Sequence, residues 1–364
     1  MKHVLVSPLS WGLGHATRDL PIIRYLLERG HHVTIAAEDR ALALLEHEVP
    51  DCDFERLPDY PPPYSSGKHF VPKFVAMAPA MLWAIEMESV RLRRLFRRRR
   101  FDLILSDNRF RIRSRHVPSF VITHQLRFMT PPGLEAFERL TEFFNWVYLH
   151  PFDRIIVPDA ADATANLSGR LSHEMRYLKH SPRVYYAGPL SSVRRRDIEQ
   201  DLDLFISISG PEPPRTQLEN TILEKVRQVD GKRIVVALGK PEVKETREID
   251  GRIEVHGFLD RARQQEMLNR ARFVVCRSGY TTVMELAELG RKALFIPTPG
   301  QTEQVYLARY YEQRGYFHTV DQYDLDLPRD IETAKSYTGP PFPNDTRANV
   351  ERLYHDLFAP VLDV

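Results

Sequence analysis

At 364 residues the chain is more than twice the commonest domain size of about 100 to 150 residues, so it has room for two hydrophobic cores. A hydrophobic content of 43% and a charged content of 27% exclude a disordered or fibrous protein. The 51 lysines and arginines nearly balance the 49 aspartates and glutamates, and the net charge of +2 gives no indication of a nucleic-acid-binding protein.

Short apolar runs alternate with longer helical patterns along the whole chain, which predicts an α/β protein with parallel sheets. Strands are predicted in the first half at residues 3–7, 32–36, 102–106, 119–123 and 154–157. A second series is predicted at residues 204–209, 233–238, 253–256, 273–276 and 293–297, with a helix at 216–229. We therefore expect two Rossmann-like, doubly wound parallel sheets, with a ligand cleft at the carboxyl ends of their strands.

The region 186–201 has neither helical nor strand periodicity and contains a Gly-Pro pair and a charged run. We predict an N-terminal domain over residues 1–187, a linker over 188–201 and a C-terminal domain over 202–340. A proline-rich break then precedes the segment 341–364, whose helix at 346–357 we expect to pack back on one of the domains, with the N-terminal one as the first choice.

The cysteines and the apolar runs indicate where the protein resides. Cys52 and Cys276 lie far apart and form no cysteine/histidine cluster, so we expect a reducing compartment and no bound metal. The first apolar run ends at Pro8 and predicts a strand rather than a signal peptide. No apolar run approaches the roughly 20 residues of a membrane-spanning helix, so a cytoplasmic protein is predicted, at most peripheral at the inner face of the cell membrane.

The segment 10–18, Ser-Trp-Gly-Leu-Gly-His-Ala-Thr-Arg, follows the first predicted strand and opens the first helix. Gly12 and Gly14 permit a tight turn and a close approach of backbone N–H groups to a substrate, although the dinucleotide fingerprint needs a third glycine. His15 can take a proton from an acceptor hydroxyl, a role worth about 10² to 10⁴ in rate. A histidine that bonds only its own loop is the alternative, and Arg18 meets a ligand only if the helix start faces the cleft.

A second group of polar residues lies in the stretch 273–308. Ser278 and Gly279 precede a helix whose first N–H groups suit a diphosphate. Glu285, about one turn into that helix, can accept hydrogen bonds from two hydroxyls of a diol, or it is a surface glutamate that favours the helix dipole.

Two further turns complete the candidate site. After the next strand, Glu303 and Gln304 open another helix and can bind sugar hydroxyls, or they form an ordinary helix start. Ser209 and Gly210 end the first strand of the second series, where Gly210 allows close approach to a phosphate, or they form a plain turn. Pro211 removes a backbone donor, so this loop is not a P-loop.

Together with the amino-terminal Gly-x-Gly-His loop, these residues resemble the MurG-like glycosyltransferases of the two-domain GT-B fold. The resemblance spans most of the chain, and its most specific part is CRSGYTTVMELAELGRKALFIPTPGQTEQ. It implies that the N-terminal domain binds the acceptor and the C-terminal domain binds the donor. It also implies a donor site formed by Ser209, Gly210, Phe258, Leu259, Arg277, Ser278, Gly279, Tyr280, Thr281, Glu285, Glu303 and Gln304. Within that set, Glu285 would bind the ribose, Phe258 would cap the base and the Leu259 backbone would pair with it.

The resemblance further implies an inverting, metal-independent transfer of a sugar, for example an N-acetylhexosamine, from a UDP-sugar. The acceptor would be a glycan or a lipid-linked sugar of cell envelope biosynthesis, and the nucleotide-sugar would be a substrate, with no cofactor. The phosphate loop is less glycine-rich than the family's. Strand-end loops of relatives are matched by Asp107, Asn108, Arg109 and His124, which either face the acceptor or close loops; Asp107 and His124 are alternative catalytic bases.

Two other functions remain open from the sequence. The Gly-x-Gly-His-x-x-Arg loop also resembles that of the sugar-nucleotide hydrolase of the pseudaminic acid pathway, which delivers water instead of an acceptor alcohol. The third reading is a non-catalytic subunit that binds a nucleotide-sugar and recruits a partner.

A membrane contact is predicted from the apolar segment 70–85, FVPKFVAMAPAMLWAI, and the arginines that follow it at 91, 93, 94 and 97–100. Apolar surface beside cationic side chains binds anionic lipid headgroups. A buried helix followed by a solvated basic turn is the alternative.

Overall fold

A computed structural model describes residues 1–60, 70–130, 133, 136–178 and 181–364, with their side chains except those of 70–78, 81 and 136. The chain forms two compact units. One comprises Met1–Ser192 together with Asp345–Val364, and the other comprises Val193–Asn344. The first boundary falls within the predicted linker. No helix among the described residues is long and apolar enough to cross a bilayer.

The N-terminal unit is built on a parallel sheet of seven strands in the order β3-β2-β1-β4-β5-β6-β7. Its strands are β1 (His3–Pro8), β2 (His32–Ala37), β3 (Asp53–Arg56), β4 (Leu103–Asp107), β5 (Ser119–Ile122), β6 (Arg154–Val157) and β7 (Val184–Tyr186). Its helices are α1 (Leu13–Glu28), α2 (Asp39–Glu48), α3 (Phe70–Phe96) and α4 (Ala136–Leu149), with a 3₁₀ turn at Gly169–Leu171.

The C-terminal unit is built on a second seven-stranded sheet, in the order β10-β11-β9-β8-β12-β13-β14. Its strands are β8 (Leu202–Ser207), β9 (Ile234–Ala237), β10 (Thr246–Ile249), β11 (Ile253–His256), β12 (Ala271–Cys276), β13 (Ala293–Phe295) and β14 (His318–Thr319). Only the β10–β11 pair is antiparallel among the strand pairs of the described residues. Its helices are α5 (Pro214–Lys225), α6 (Arg261–Arg270), α7 (Tyr280–Leu289), α8 (Thr302–Gln313) and α9 (Leu327–Lys335), with a 3₁₀ turn at Val226–Gln228.

The last segment of the chain belongs to the core of the N-terminal unit. It forms α10 (Thr346–Leu353), a π-helical turn (Tyr354–Phe358) and α11 (Ala359–Leu362). Val350, Leu353 and Phe358 are buried in one apolar cluster with residues of α1 and the central strands. The Tyr354 hydroxyl lies 2.7 Å from His31 Nε2, which fixes the segment against the loop before β2.

These sheets confirm the predicted α/β class. All ten predicted strands are present, and the four strands that the sequence did not predict, β3, β7, β10 and β14, are the outer strands of the two sheets. Outer strands pair on one side only and bury little of their surface, so they lack the continuous apolar run that predicts a buried strand.

Each sheet has a switch point, where consecutive connections leave in opposite directions. In the first sheet it lies between β1 and β4, and in the second between β8 and β12. The crevice outside the carboxyl ends of such strands is where open α/β sheets bind ligands. The fold thus provides one ligand position in each unit, and both predicted loops lie there.

Candidate active site

The first candidate site lies at the carboxyl ends of β1, β4 and β5. The register pairs Pro8 with Asp107 and Asp107 with Ile122, so the ends of the three strands are adjacent. His15, in the first turn of α1, has its Nδ1 2.8 Å from Asp107 Oδ1. The Asp107 carboxylate is fully buried, whereas the His15 ring is partly exposed. The predicted catalytic residues His15 and Asp107 therefore form a contacting pair.

Arg18, one turn further along α1, binds the same carboxylate. Its Nε lies 2.5 Å from Asp107 Oδ2 and its Nη2 bonds Oδ1. Its Nη1 lies 2.8 Å from His124 Nδ1, just beyond the end of β5. The sequence placed Arg18 on the acceptor side, but its side chain is only 1% exposed. Arg18 is therefore buried behind the site and contacts Asp107, His15 and His124 instead of a ligand.

The His15 ring has two competing partners at Nδ1, because Arg18 Nη2 also lies 2.8 Å from this atom. If Nδ1 carries the proton it donates to Asp107, and if it does not, it accepts from Arg18. The first arrangement leaves the lone pair on Nε2, which is the state a general base needs. The buried carboxylate favours that arrangement.

A second carboxyl group lies beside Asp107. Asp19 follows Arg18 in α1 and is fully buried, and neither of its oxygens meets a hydrogen-bond donor among the described residues. Burial, reinforced by the charge of Asp107, raises the pKa of Asp19 well above its usual value. Burial also acts against ionisation of Asp107, but Arg18 and His15 outweigh it and lower the pKa of that carboxyl. Asp107 is thus the ionised member of the pair and Asp19 the neutral one.

Arg109 is a brace inside the fold and does not reach the surface. Its Nε lies 2.6 Å from Glu88 Oε1 on α3, and its Nη1 lies 2.8 Å from Asp59 Oδ1 after β3. Asp59 Oδ2 in turn accepts a 2.6 Å hydrogen bond from the backbone N–H of Ser10, which begins the Gly-x-Gly-His loop. Arg109 therefore supports the loop that leads to Gly12 and to the first turn of α1, with Gly14 and His15, instead of lining the acceptor side, as the sequence suggested.

Asn108 closes the end of β4 in a left-handed backbone conformation, with φ of 58°. The Thr123 hydroxyl donates a 2.9 Å hydrogen bond to its side-chain oxygen. Asn108 thus ties the β4 end to the β5 end. No local sequence pattern marks Asp19, Asp59 or Glu88, because each becomes significant only through partners distant in the chain.

The second candidate site lies at the carboxyl ends of β8 and β12. Arg277, just after β12, donates from Nε to the Ser209 carbonyl at 3.2 Å and from Nη1 to the carbonyls of Ile296 and Pro297 at 3.0 and 3.1 Å. Burial lowers its pKa to about 10. A Cβ atom on Gly210 would lie 3.3 Å from Thr298 Oγ1, so glycine lets these loops meet. Arg277 therefore joins three loops at the predicted phosphate position.

The start of α7 has no side-chain cap. Gly279 occupies the N-cap position and has no side chain that could cap the helix. The Ser278 hydroxyl donates to the Gln304 carbonyl at 2.9 Å, and Gln304 Oε1 accepts from the Thr298 N–H at 2.9 Å. Tyr280 and Thr281 form the first turn itself. These contacts bring the Ser-Gly loop and the Glu303–Gln304 turn together around a helix end that carries partial positive charge.

Glu285 lies further along α7 and is almost fully buried. Burial raises its pKa, and the positive charge of Arg261 on α6, 3.6 Å away, opposes that shift. Phe258, three residues before Arg261, is 41% exposed, while Leu259 is buried. An exposed aromatic face and a buried carboxylate thus flank the start of α6.

No group of three or more histidine, cysteine, aspartate or glutamate side chains that could hold a metal ion occurs in the part of the chain that the structure describes.

The C-terminal part of the chain matches a known family domain, since residues 215–349 match the glycosyltransferase family 28 C-terminal domain. The UDP-N-acetylglucosamine--N-acetylmuramyl-(pentapeptide) pyrophosphoryl-undecaprenol N-acetylglucosamine transferase of Haemophilus influenzae is 30% identical over 156 residues, which are 41% of this chain and 43% of that protein. An uncharacterized glycosyltransferase of Methanosarcina acetivorans is 25% identical over 319 residues, 84% of this chain and 80% of its own length. The chain thus spans less than half of the length of the first of these relatives.

Solved structures share the fold along the whole chain. MurG of Acinetobacter baumannii has a TM-score of 0.59 at 14% identity, covering 98% of this chain and 100% of its own. The kitacinnamycin glycosyltransferase has a TM-score of 0.64 at 16% identity, covering 98% and 95%. The predicted resemblance is therefore confirmed: the chain is similar to the MurG-like glycosyltransferases, and its fold is that of the GT-B glycosyltransferases.

Proposed function

We propose that this chain is a glycosyltransferase that moves a sugar from a nucleoside-diphosphate sugar to an acceptor hydroxyl, with inversion and without a metal ion. The observation that carries the proposal is the switch point of the second sheet. There an uncapped helix start, a buried carboxylate and an exposed phenylalanine lie in the segment that matches glycosyltransferase family 28.

The donor would bind along α7 and the loops that meet it. The first N–H groups of α7 would hold the diphosphate, Glu285 would accept hydrogen bonds from the ribose, and Phe258 would stack on the base. Glu303 and Gln304 would bind the sugar. The name of the Haemophilus influenzae relative, a UDP-N-acetylglucosamine transferase, supports uridine as the base and an N-acetylhexosamine as the sugar.

The His15–Asp107 pair would supply the chemistry. His15 Nε2 takes the proton of the acceptor hydroxyl while its oxygen forms a bond to the anomeric carbon. The bond from that carbon to the diphosphate oxygen breaks on the opposite face, and its electron pair leaves with the diphosphate. Asp107 stabilises the imidazolium through the Nδ1 proton, and the α7 start stabilises the leaving group in place of a metal ion.

Helix α4 supports a lipid-linked acceptor and a membrane contact. Four of its apolar side chains share one face and are exposed by 52% (Phe137), 61% (Leu140), 42% (Phe143) and 44% (Val147). The Phe143 ring contacts Tyr177, over whose ring the Arg176 guanidinium lies at 5.9 Å. Exposed apolar side chains beside an arginine suit an anionic lipid surface.

The membrane face predicted from segment 70–85 is supported only in part. The side chains of 70–78 and 81 lie outside the described residues; Leu82 and Trp83 are exposed. The arginines at 97–100 follow the end of α3, about 20 Å along the helix from these two residues. Arg99 also lies 3.6 Å from Glu55 on β3. We therefore assign the lipid contact to the α4 face and not to the arginines at 97–100.

Replacing His15, the proposed general base, tests the chemistry of transfer. His15→Ala should lower turnover by about 10² to 10⁴ and leave nucleotide affinity unchanged, because the donor contacts are on the other unit. His47→Ala, at an exposed histidine of α2, is the matched control. Nucleotide release that needs an added acceptor supports transfer, whereas release at the full rate in water indicates the hydrolase reading. Wild-type turnover in His15→Ala would refute the assignment of His15.

The buried carboxyl groups of Asp19 and Asp107 predict an unusual pH dependence of the protein's stability. The folded-state pKa of Asp19 is raised, so the folded protein keeps a proton that the unfolded chain releases above pH about 4. Stability therefore falls as pH rises towards the folded pKa. Asp19→Asn should be more stable than the parent, by a margin that grows by up to about 1.4 kcal/mol per pH unit. Urea unfolding from pH 5 to 8 measures this, with exposed Asp51→Asn as control; parallel profiles would contradict it.

The ribose assignment predicts weaker nucleotide binding in Glu285→Ala. The loss should be about 1.5 to 3 kcal/mol, the contribution of hydrogen bonds to a charged group. Calorimetric titration with uridine diphosphate measures it. Glu288→Ala removes the same charge from the same helix and should bind normally. Equal affinity in Glu285→Ala and the parent would show that the ribose binds elsewhere.

The lipid contact predicts that Leu140→Ser combined with Phe143→Ser weakens binding to anionic vesicles by more than about tenfold, since each apolar side chain contributes about 1.5 to 3 kcal/mol on burial. Sedimentation with phosphatidylcholine vesicles, with and without phosphatidylglycerol, measures it. Tyr323→Ser, at an exposed tyrosine of the other unit, and Arg97→Ser with Arg98→Ser should leave binding unchanged. Binding lost only in the arginine variant would reverse the assignment.

A further inference from the structure

Arg261 lies beside the carboxylate that we assign to the ribose. It is the first residue of α6, and its Nη2 lies 3.6 Å from Glu285 Oε1 on α7. The start of α6 is fixed, because the Asp260 side chain accepts a 2.8 Å hydrogen bond from the Arg263 N–H. The guanidinium is therefore held near Glu285 by the loop that also contains Phe258.

The surroundings of Glu285 make this arginine necessary for charge balance. Its carboxylate is almost fully buried, and burial alone favours the neutral acid. The ionisable groups that face it among the described residues are Arg261 from α6 and the Cys276 thiol from the end of β12. Burial, with a further contribution from Glu285, raises the pKa of Cys276, so the thiol is neutral. Arg261 thus supplies the compensating positive charge.

Ionisation decides what Glu285 can bind. An ionised carboxylate accepts hydrogen bonds at both oxygens and can hold two neighbouring hydroxyls, whereas a protonated one has a donor in place of an acceptor. We propose that Arg261 is a positioning residue for the donor: it keeps Glu285 ionised and oriented to accept both hydroxyls of a ribose, so that the site selects ribonucleotides over 2′-deoxyribonucleotides. This inference rests on the proposed donor site.

The distance of 3.6 Å is consistent with this role. A guanidinium that bound both carboxylate oxygens at hydrogen-bond distance would compete with the ribose for the same lone pairs. At 3.6 Å the contact is an ion pair without a short hydrogen bond, which compensates the charge and leaves acceptor capacity for a ligand.

The test compares Arg261→Gln with the parent in titrations with uridine diphosphate and guanosine diphosphate, each against its 2′-deoxy form, at pH 5.5 and 7.5. Arg261→Gln should bind the ribonucleotide about tenfold more weakly at pH 7.5 and weaker still at pH 5.5, because loss of the Arg261 charge leaves the raising effect of burial on the pKa of Glu285 unopposed. Its preference for the ribonucleotide over the deoxy form should shrink. Arg261→Lys should restore most of the affinity, and Arg263→Gln, two residues further along α6 with a largely exposed side chain, should bind as the parent does.

Three results would overturn the inference. Unchanged binding in Arg261→Gln would show that the arginine does not support the donor, and tighter binding would show that it competes with the ligand. A loss of equal size at both pH values and for both sugar forms would show a general effect on the fold. If Glu285→Gln binds as tightly as the parent, the ribose assignment fails and the inference fails with it, whereas weaker binding in Glu285→Gln with none in Arg261→Gln removes the inference alone.

Discussion

The ion pair between Arg18 and Asp107 is the interaction on which the first candidate site depends. A buried carboxylate is unstable unless its charge is compensated, and Arg18 does so with two of its nitrogens. Because both residues are tied to rigid elements, α1 and the end of β4, the ion pair also fixes His15 at the edge of the site. Burial and the negative charge of Asp107 raise the pKa of the next carboxyl group, Asp19, although Arg18 opposes that shift. The two buried carboxyl groups therefore differ in protonation, with Asp107 ionised and Asp19 neutral.

The second site meets a different physical requirement. Its backbone N–H groups must be accessible to a ligand while the surrounding loops keep a fixed conformation. Gly279 at the N-cap leaves the first N–H groups of α7 without a side-chain cap, so an anion can approach them closely. Arg277 holds the surrounding loops by their carbonyl groups and not by its charge, because its partners are backbone oxygens and an amide. Its position at the phosphate loop is therefore explained by architecture, and direct contact with a ligand remains a prediction for Arg277.

The sequence predicted those parts of the fold and site whose signals are local. The ten inner strands are apolar runs, and glycines at the starts of the following helices predict the loops after β1 and β12. The four outer strands were missed because a strand such as β3, Asp53–Arg56, pairs on one side and buries little. The sequence assigns Arg18 and Arg109 to the acceptor side, because it does not show that each arginine forms a buried ion pair with a carboxylate from another element. The α4 face was missed because periodicity shows an apolar stripe without showing whether anything covers it.

Both sites place an arginine beside a buried carboxylate, and the difference between the two pairs matches the work proposed for each. Arg18 and Asp107 are in direct hydrogen-bond contact and almost wholly buried, so their geometry is fixed, as a support for a general base requires. Arg261 and Glu285 are 3.6 Å apart, and Arg261 is partly exposed. That looser pair retains acceptor capacity, which a binding carboxylate needs and a supporting carboxylate does not. In the proposed function, the carboxylate in direct contact with its arginine, Asp107, supports another side chain, and the carboxylate 3.6 Å from its arginine, Glu285, receives a ligand.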